Sequence, residues 1–234
     1  MIKNYINKMK IFDKRSNKNL YLIDDEILKS FDIKKKNYKK EYNTVNKLNH
    51  KNIIKFKDYF YHRNFFFVIM DHYPKGDLWN LVNNKKLTVN EQIYLSKQLT
   101  KPIVNLHSNG IVHLDLKLEN YLLTKSKDII LIDFEHSREF KYFDQSYDLK
   151  YKVGTKNYIA PEINNLKFSI KSDIYSLGVI FYLLVARTFP NKDQVDFSRI
   201  YKSPLEPIII NMLQPRPAYR PNIFEVEYFI NKLT

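Results

Sequence analysis

Ile111-Val-His-Leu-Asp-Leu-Lys-Leu-Glu-Asn-Tyr-Leu-Leu123 sets an Asp, a Lys and an Asn at 115, 117 and 120 between two short apolar runs. Charged groups between strand-like apolar runs are costly unless they face a cleft. The spacing suits phosphoryl transfer. A carboxylate can take the proton of an attacking hydroxyl, an ammonium can neutralise the transferring group, and an amide oxygen can ligate a metal.

Working outward, Asp128-Ile-Ile-Leu-Ile-Asp133 predicts a buried strand that runs on to Phe134-Glu135 and delivers a carboxylate. An Asp there suits magnesium, a hard cation that takes oxygen ligands; the alternative is a turn-initiating Asp. Upstream, Leu95, Leu99, Ile103 and Leu106 fit one helical face between Asn90 and His107, and Asn109-Gly110 is a helix stop. Pro102 falls inside that helix, where Pro costs about 3 kcal/mol or forces a kink. Downstream, Ile174 to Ala186 is the longest apolar stretch, with Ser172 as its expected N-cap.

The first part of the chain reads as strands. Leu20–Ile23 and Glu26–Phe31 flank a turn at Asp24-Asp25, and alternation puts Ile27, Lys29 and Phe31 on one face. A Lys there either snorkels to water or faces a cleft as a phosphate ligand. After the basic run Lys34 to Lys40, Tyr42, Val45 and Leu48 predict an amphipathic helix that begins at Glu41. Two more strands, Ile53–Phe60 and Phe65–Met70, are joined by a turn at His62-Arg-Asn64. Pro74 and Gly76 then break the pattern in Asp71–Leu78, which marks a boundary between two lobes, 1–73 and 74–234.

Several motifs in this order resemble the eukaryotic-type Ser/Thr protein kinase family. His113-Leu-Asp-Leu-Lys-Leu-Glu-Asn120 is similar to its catalytic loop, with Leu114 where Arg is usual. Asp133-Phe-Glu135 is similar to Asp-Phe-Gly, and Gly154-Thr-Lys-Asn-Tyr-Ile-Ala-Pro-Glu162 to the Ala-Pro-Glu segment. The resemblance covers about Leu20 to Arg220. It implies an α+β, bilobal kinase-like fold, with a small, mainly β lobe on a larger α-helical lobe. It further implies ATP and Mg²⁺ as cofactors and a protein substrate bearing Ser or Thr. Asp115 and Lys117 would be catalytic, and Asn120 and Asp133 would hold the metal. Lys29 with its partner Glu41, Asp71, Tyr73, Asp77 and Leu122 would bind the nucleotide. The backbone of Asp71 and Tyr73 would meet adenine, with Met70 behind it, and Asp77 a ribose hydroxyl. Thr155 would bridge Asp115 and Lys117, Asp173 would brace the catalytic loop, and Arg220 would pair with Glu162.

Two departures bear on mechanism. No glycine precedes Gly76, so the Gly-rich loop over the phosphates is missing, and Asp13 to Asn19 must cover them. Glu135 stands in place of a glycine and adds negative charge. A second reading therefore keeps the fold as a pseudokinase, a binding or scaffold protein with little or no turnover. A third, nucleic-acid binding, rests only on 39 basic against 25 acidic residues, a balance of +14. With no aromatic-interleaved recognition module, no nucleic-acid partner is expected. The chain has no cysteine, which excludes disulfides, thiolate catalysis and zinc-thiolate sites. No signal-peptide core and no apolar run of roughly 20 residues stand out. The expectation is an intracellular protein, cytoplasmic or nuclear, away from membranes.

Overall fold

The computed structural model describes residues 10–15, 18–191 and 194–234; the side chains before Asn19 are not described. Five antiparallel strands form the small lobe: β1 (Lys10–Arg15), β2 (Lys18–Ile23), β3 (Glu26–Asp32), β4 (Phe56–His62) and β5 (Phe65–Asp71). Their order is β1-β2-β3-β5-β4. Tight turns at Asp24 (φ 52°) and Arg63 (φ 51°) close the two predicted hairpins. The expected cover from Asp13 to Asn19 falls partly outside the described residues.

Register decides which side chains reach the cleft. Lys29 pairs with Leu20 on one neighbour and Val68 on the other. Leu28, one residue away, belongs to the opposite face with Phe60, Phe67 and Ile69. On the Lys29 face, Phe31, Phe66 and Val68 are buried beneath Tyr38 and Tyr42. Tyr38 and Tyr42 flank the start of helix α1 (Lys40–Asn46). Burying one Phe such as Phe66 stabilises by about 1.5–3 kcal/mol. These aromatic contacts hold α1 against the sheet and thereby fix Glu41 opposite Lys29.

The larger lobe is mainly helical. Helix α2 (Leu78–Asn84) is followed by α3 (Val89–Ser108), which opens on a Thr88–Glu91 capping box. Helix α3 continues through the buried Pro102 and stops at Asn109, with Gly110 at φ 69°. Helix α4 (Ile170–Ala186) is buried on nearly all sides, as its continuous apolar sequence requires. Its N-cap is Ser169 rather than the expected Ser172, because Ser172 sits at the third position and completes a capping box with Ser169. Gly178 lets α5 (Glu206–Met212) approach α4: a Cβ there would lie 2.8 Å from Met212 Cβ. Helix α6 (Ile223–Lys232) packs against α3.

Short strands β6 (Ile111–Val112) and β7 (Tyr121–Leu123) bracket the opening sequence stretch, and β7 pairs with β8 (Ile129–Leu131). The strand predicted to reach Glu135 thus ends four residues early. Past Ile132 the chain turns at Asp133, whose φ of 65° is incompatible with a strand. Strand β9 (Arg138–Glu139) returns to pair with β6. Strands β10 (Tyr147–Asp148) and β11 (Lys167–Phe168) pair at the far side of the segment that follows. The lobes are joined away from the linker as well. Ile54 N–H donates to Leu131 O, Leu131 N–H to Asn52 O, and the buried Asn52 amide to Ile129 O at 2.8 Å.

Candidate active site

The site is assembled from one buried carboxylate outward. Asp173, at the start of α4, has no solvent exposure and accepts the N–H groups of His113 (2.8 Å) and Leu114 (2.9 Å). A ring nitrogen of His107 donates to it at 3.1 Å. A buried carboxylate is tolerated only when so satisfied, and here it fixes the backbone just before Asp115. The His113 ring continues the bracing: Nε2 donates to Ile132 O at 3.2 Å, while Nδ1 accepts Asp115 N–H at 3.2 Å. It also packs edge-on against Phe134. The loop and the Asp133–Glu135 segment are therefore one unit.

Asp115 is 6% exposed and fully engaged. Its Oδ1 accepts the Thr155 hydroxyl at 2.8 Å, and its Oδ2 lies 3.0 Å from Lys117 Nζ. Lys117 in turn donates to Thr155 Oγ1 at 2.9 Å, closing a triangle. Thr155 is delivered by Gly154, whose φ is 88° and where a Cβ would come within 2.6 Å of Leu114 O. Asn120 directs its amide N–H groups at Asp115, to the main-chain oxygen at 2.8 Å and Oδ2 at 3.3 Å. That leaves Asn120 Oδ1 as the atom able to ligate a cation.

The small lobe contributes Lys29. Its ammonium donates to both Glu41 oxygens, at 2.6 and 2.8 Å, and to Asp133 Oδ1 at 3.1 Å. Burial by itself would lower the Lys29 pKa. The Glu41 and Asp133 carboxylates outweigh it and hold the group above its ordinary value. The charged Lys29 therefore links the two lobes, pairing with Glu41 in its own lobe and with Asp133 from the other.

A cavity of 530 Å³ lies between the lobes, and every one of the ten sequence-predicted site residues lines it. Leu20, Ile27, Ile54, Met70, Leu122 and Ile132 give it an apolar end, while Asp115, Lys117, Asn120 and Asp133 give it a charged one. Asp71 turns its side chain outward to Lys57 at 2.5 Å, so only its backbone is offered to the cavity. The Tyr73 carbonyl accepts Gly76 N–H at 3.2 Å. Asp77 caps α2, with Oδ1 accepting Asn80 N–H at 2.9 Å. Glu119 and Glu135 line the cavity too and were not among the predicted site residues. The signal for Glu119 was its place in the quoted stretch; it accepts the Tyr158 hydroxyl at 3.1 Å. A carboxylate, two ammonium groups and further amide and carboxylate oxygens facing one partly apolar cavity are the parts that transfer from a nucleotide to a hydroxyl would need.

Comparison with known proteins agrees. The Protein kinase domain family matches residues 9–227. The chain is similar to calcium-dependent protein kinase 4 of Plasmodium falciparum, 36% identical over 152 residues, which is 63% of this chain and 28% of that protein. It is similar to myosin light chain kinase 3 of Rattus norvegicus, 34% identical over 177 residues, 73% of this chain and 22% of that protein. It is also similar to serine/threonine-protein kinase polo of Drosophila melanogaster, 34% identical over 197 residues, 78% of this chain and 34% of that protein. The chain thus spans about a third or less of the length of these three relatives. Among the described residues, no helix is long and apolar enough to cross a membrane.

Proposed function

Because the chain belongs to the protein kinase domain family, we propose that it transfers the γ-phosphoryl group of ATP to Ser or Thr hydroxyls of protein substrates. The observation that carries this reading is the closed Asp115–Lys117–Thr155 triangle facing the cavity that Lys29 enters from the other lobe. The two lobes are residues 1–73 and 74–234, and the nucleotide lies between them.

In this scheme the adenine occupies the apolar end, against the backbone of Asp71 and Tyr73 and the side chain of Leu122. Asp77 already caps α2 through one oxygen, and its other oxygen meets the ribose. Lys29 holds the nucleotide phosphates and is itself aimed by Glu41. Asp115 orients the acceptor hydroxyl and takes its proton at the carboxylate. Lys117 neutralises charge on the transferring group, and Thr155 keeps Lys117 and Asp115 in register. Asn120 and Asp133 offer one oxygen donor each. Few protein ligands suit magnesium, which shares its coordination with phosphate oxygens and water. Asn120 and Asp133 would hold Mg²⁺, and the chemistry supplied there would be positive charge to offset that of the phosphates.

The test is incubation with labelled ATP, Mg²⁺ and generic acceptor proteins. Label on acceptor Ser or Thr is the expected result. Nucleotide binding without transfer would instead favour the pseudokinase. Asp133→Ala is expected to abolish Mg²⁺-dependent ATP binding while the variant stays folded. Binding like wild type would overturn the metal assignment.

A further inference from the structure

A second cavity of 670 Å³ lies behind the first, between the β3–α1 connection and the chain that leads from Glu135 to Tyr151. Nothing in the proposed reaction uses it. Its walls bring together cations from both lobes: Lys36 and Lys40 on one side, Arg138 and Lys150 on the other. None of these four pairs with a carboxylate among the described residues. Lys40 Nζ donates to a main-chain oxygen, that of Glu135, at 3.1 Å. Arg138 likewise donates to the main-chain oxygens of His136 and Ser137, at 2.8 and 3.0 Å.

The acids around the same cavity are mostly engaged elsewhere. Glu41 is bound by Lys29, Asp148 by Lys167 at 2.9 Å, and Asp32 accepts Lys34 N–H at 3.0 Å. Glu135 is the remaining carboxylate on the rim. The cavity is therefore lined by excess positive charge, and Phe31, Tyr38 and Tyr151 add aromatic surface to it.

We propose that this cavity is a docking site for a short acidic segment of a partner protein, with carboxylates set between Lys36/Lys40 and Arg138/Lys150 and an apolar side chain against the aromatic rings. Volume and layout favour a peptide over a lone small anion. The space exceeds that of the nucleotide cavity, and its cations are spread over two walls rather than focused on one point. Burial, and then the nearby Arg138, pushes the Lys40 ammonium down to about 8, against the pull of Glu135 and Glu41. A bound carboxylate would reverse that shift. Lys40 directly precedes Glu41, so the occupant would sit beside the residue that aims Lys29.

The experiment is fluorescence anisotropy with a labelled Glu-rich peptide carrying one Phe, titrated with the whole chain at low and high salt. Binding is expected to weaken with salt. It is also expected to fall at least tenfold in Lys40→Ala/Arg138→Ala, while Mg·ATP affinity stays at the wild-type value. Lys36→Glu/Lys150→Glu, which alters exposed positions alone, guards against misfolding and is expected to lose as much. Equal binding by wild type and this second variant would overturn the proposal. Complete displacement by millimolar inorganic phosphate would also overturn it, by reducing the cavity to a small-anion site. So would an RNA oligonucleotide that binds more tightly than the peptide and loses affinity in the same variants.

Discussion

Two buried ionic networks in the large lobe use the same chemistry to different ends. Around Arg220, which is 1% exposed, every donor is consumed. Nε reaches Gln214 O, Nη1 reaches Glu162 and Lys171 O, and Nη2 reaches Glu162 and Pro215 O, all between 2.7 and 2.9 Å. Ser172 completes the Glu162 side at 2.7 Å. Around Asp115 the pairing is just as dense, but Asp115, Lys117 and Asn120 also line the interlobe cavity. The first network is closed and joins parts of the fold. The second is open on one side, toward the cavity. Burial and pairing do not separate the two; access to the cavity does.

That contrast can be broken from either side. The largest effect on transfer is expected from Asp115→Asn, a loss of about 10²–10⁴-fold in kcat/KM, as for removal of a general base. An assay with saturating Mg·ATP and a protein acceptor checks it. The closed network should answer in stability instead. Arg220→Met leaves the Glu162 carboxylate, only 13% exposed, without its partner and is expected to cost about 3–5 kcal/mol in urea unfolding. Activity per folded molecule should survive. A stable Arg220→Met protein with lost transfer would erase the distinction.

Smaller changes sharpen it. Lys29→Met keeps the apolar stem packed and removes the charge shared by Glu41 and Asp133. Transfer is expected to fall about 10²-fold or more, with little change in melting temperature. Unchanged turnover would move the role to a neighbouring cation, Lys34 or Lys35.

The smallest expected effect concerns the segment from Asp133 to Glu162. Many kinase activation loops are ordered by a phosphate paired to Arg. Here Leu114 is buried where that Arg would stand, and Leu149 and Val153 belong to the same core. Phosphatase treatment should therefore leave activity within about twofold, since loss of a needed charge-assisted clamp would cost more. A tenfold drop restored by rephosphorylation would contradict this.

The site was largely legible because its residues sit in short, ordered motifs whose spacing carries the chemistry. Asp115, Lys117 and Asn120 lie within six residues of each other. Periodicity placed Lys29 on a strand face and Glu41 at the start of a helix, and the family resemblance paired them. What stayed illegible depended on three-dimensional detail. Ser169 and Ser172 are both plausible caps by type, and only the reciprocal bonding assigns the helix start to Ser169. The apolar run into Asp133 hid a left-handed turn, because nothing in Ile-Asp-Phe demands φ of 65°. Asp77 was read for a ribose hydroxyl, while its helix-capping bond appears only with the fold. The second cavity joins residues from Phe31 to Tyr151, and no local pattern connects them.

Equilibrium urea unfolding of Asp115→Asn, run beside wild type and Arg220→Met, bears most directly on the claim that the open network serves chemistry rather than the fold. The midpoint of Asp115→Asn is expected to match or exceed that of wild type, because the change removes a buried charge in a site built to meet a substrate. A fall as large as that of Arg220→Met would contradict the claim and make Asp115 a part of the scaffold.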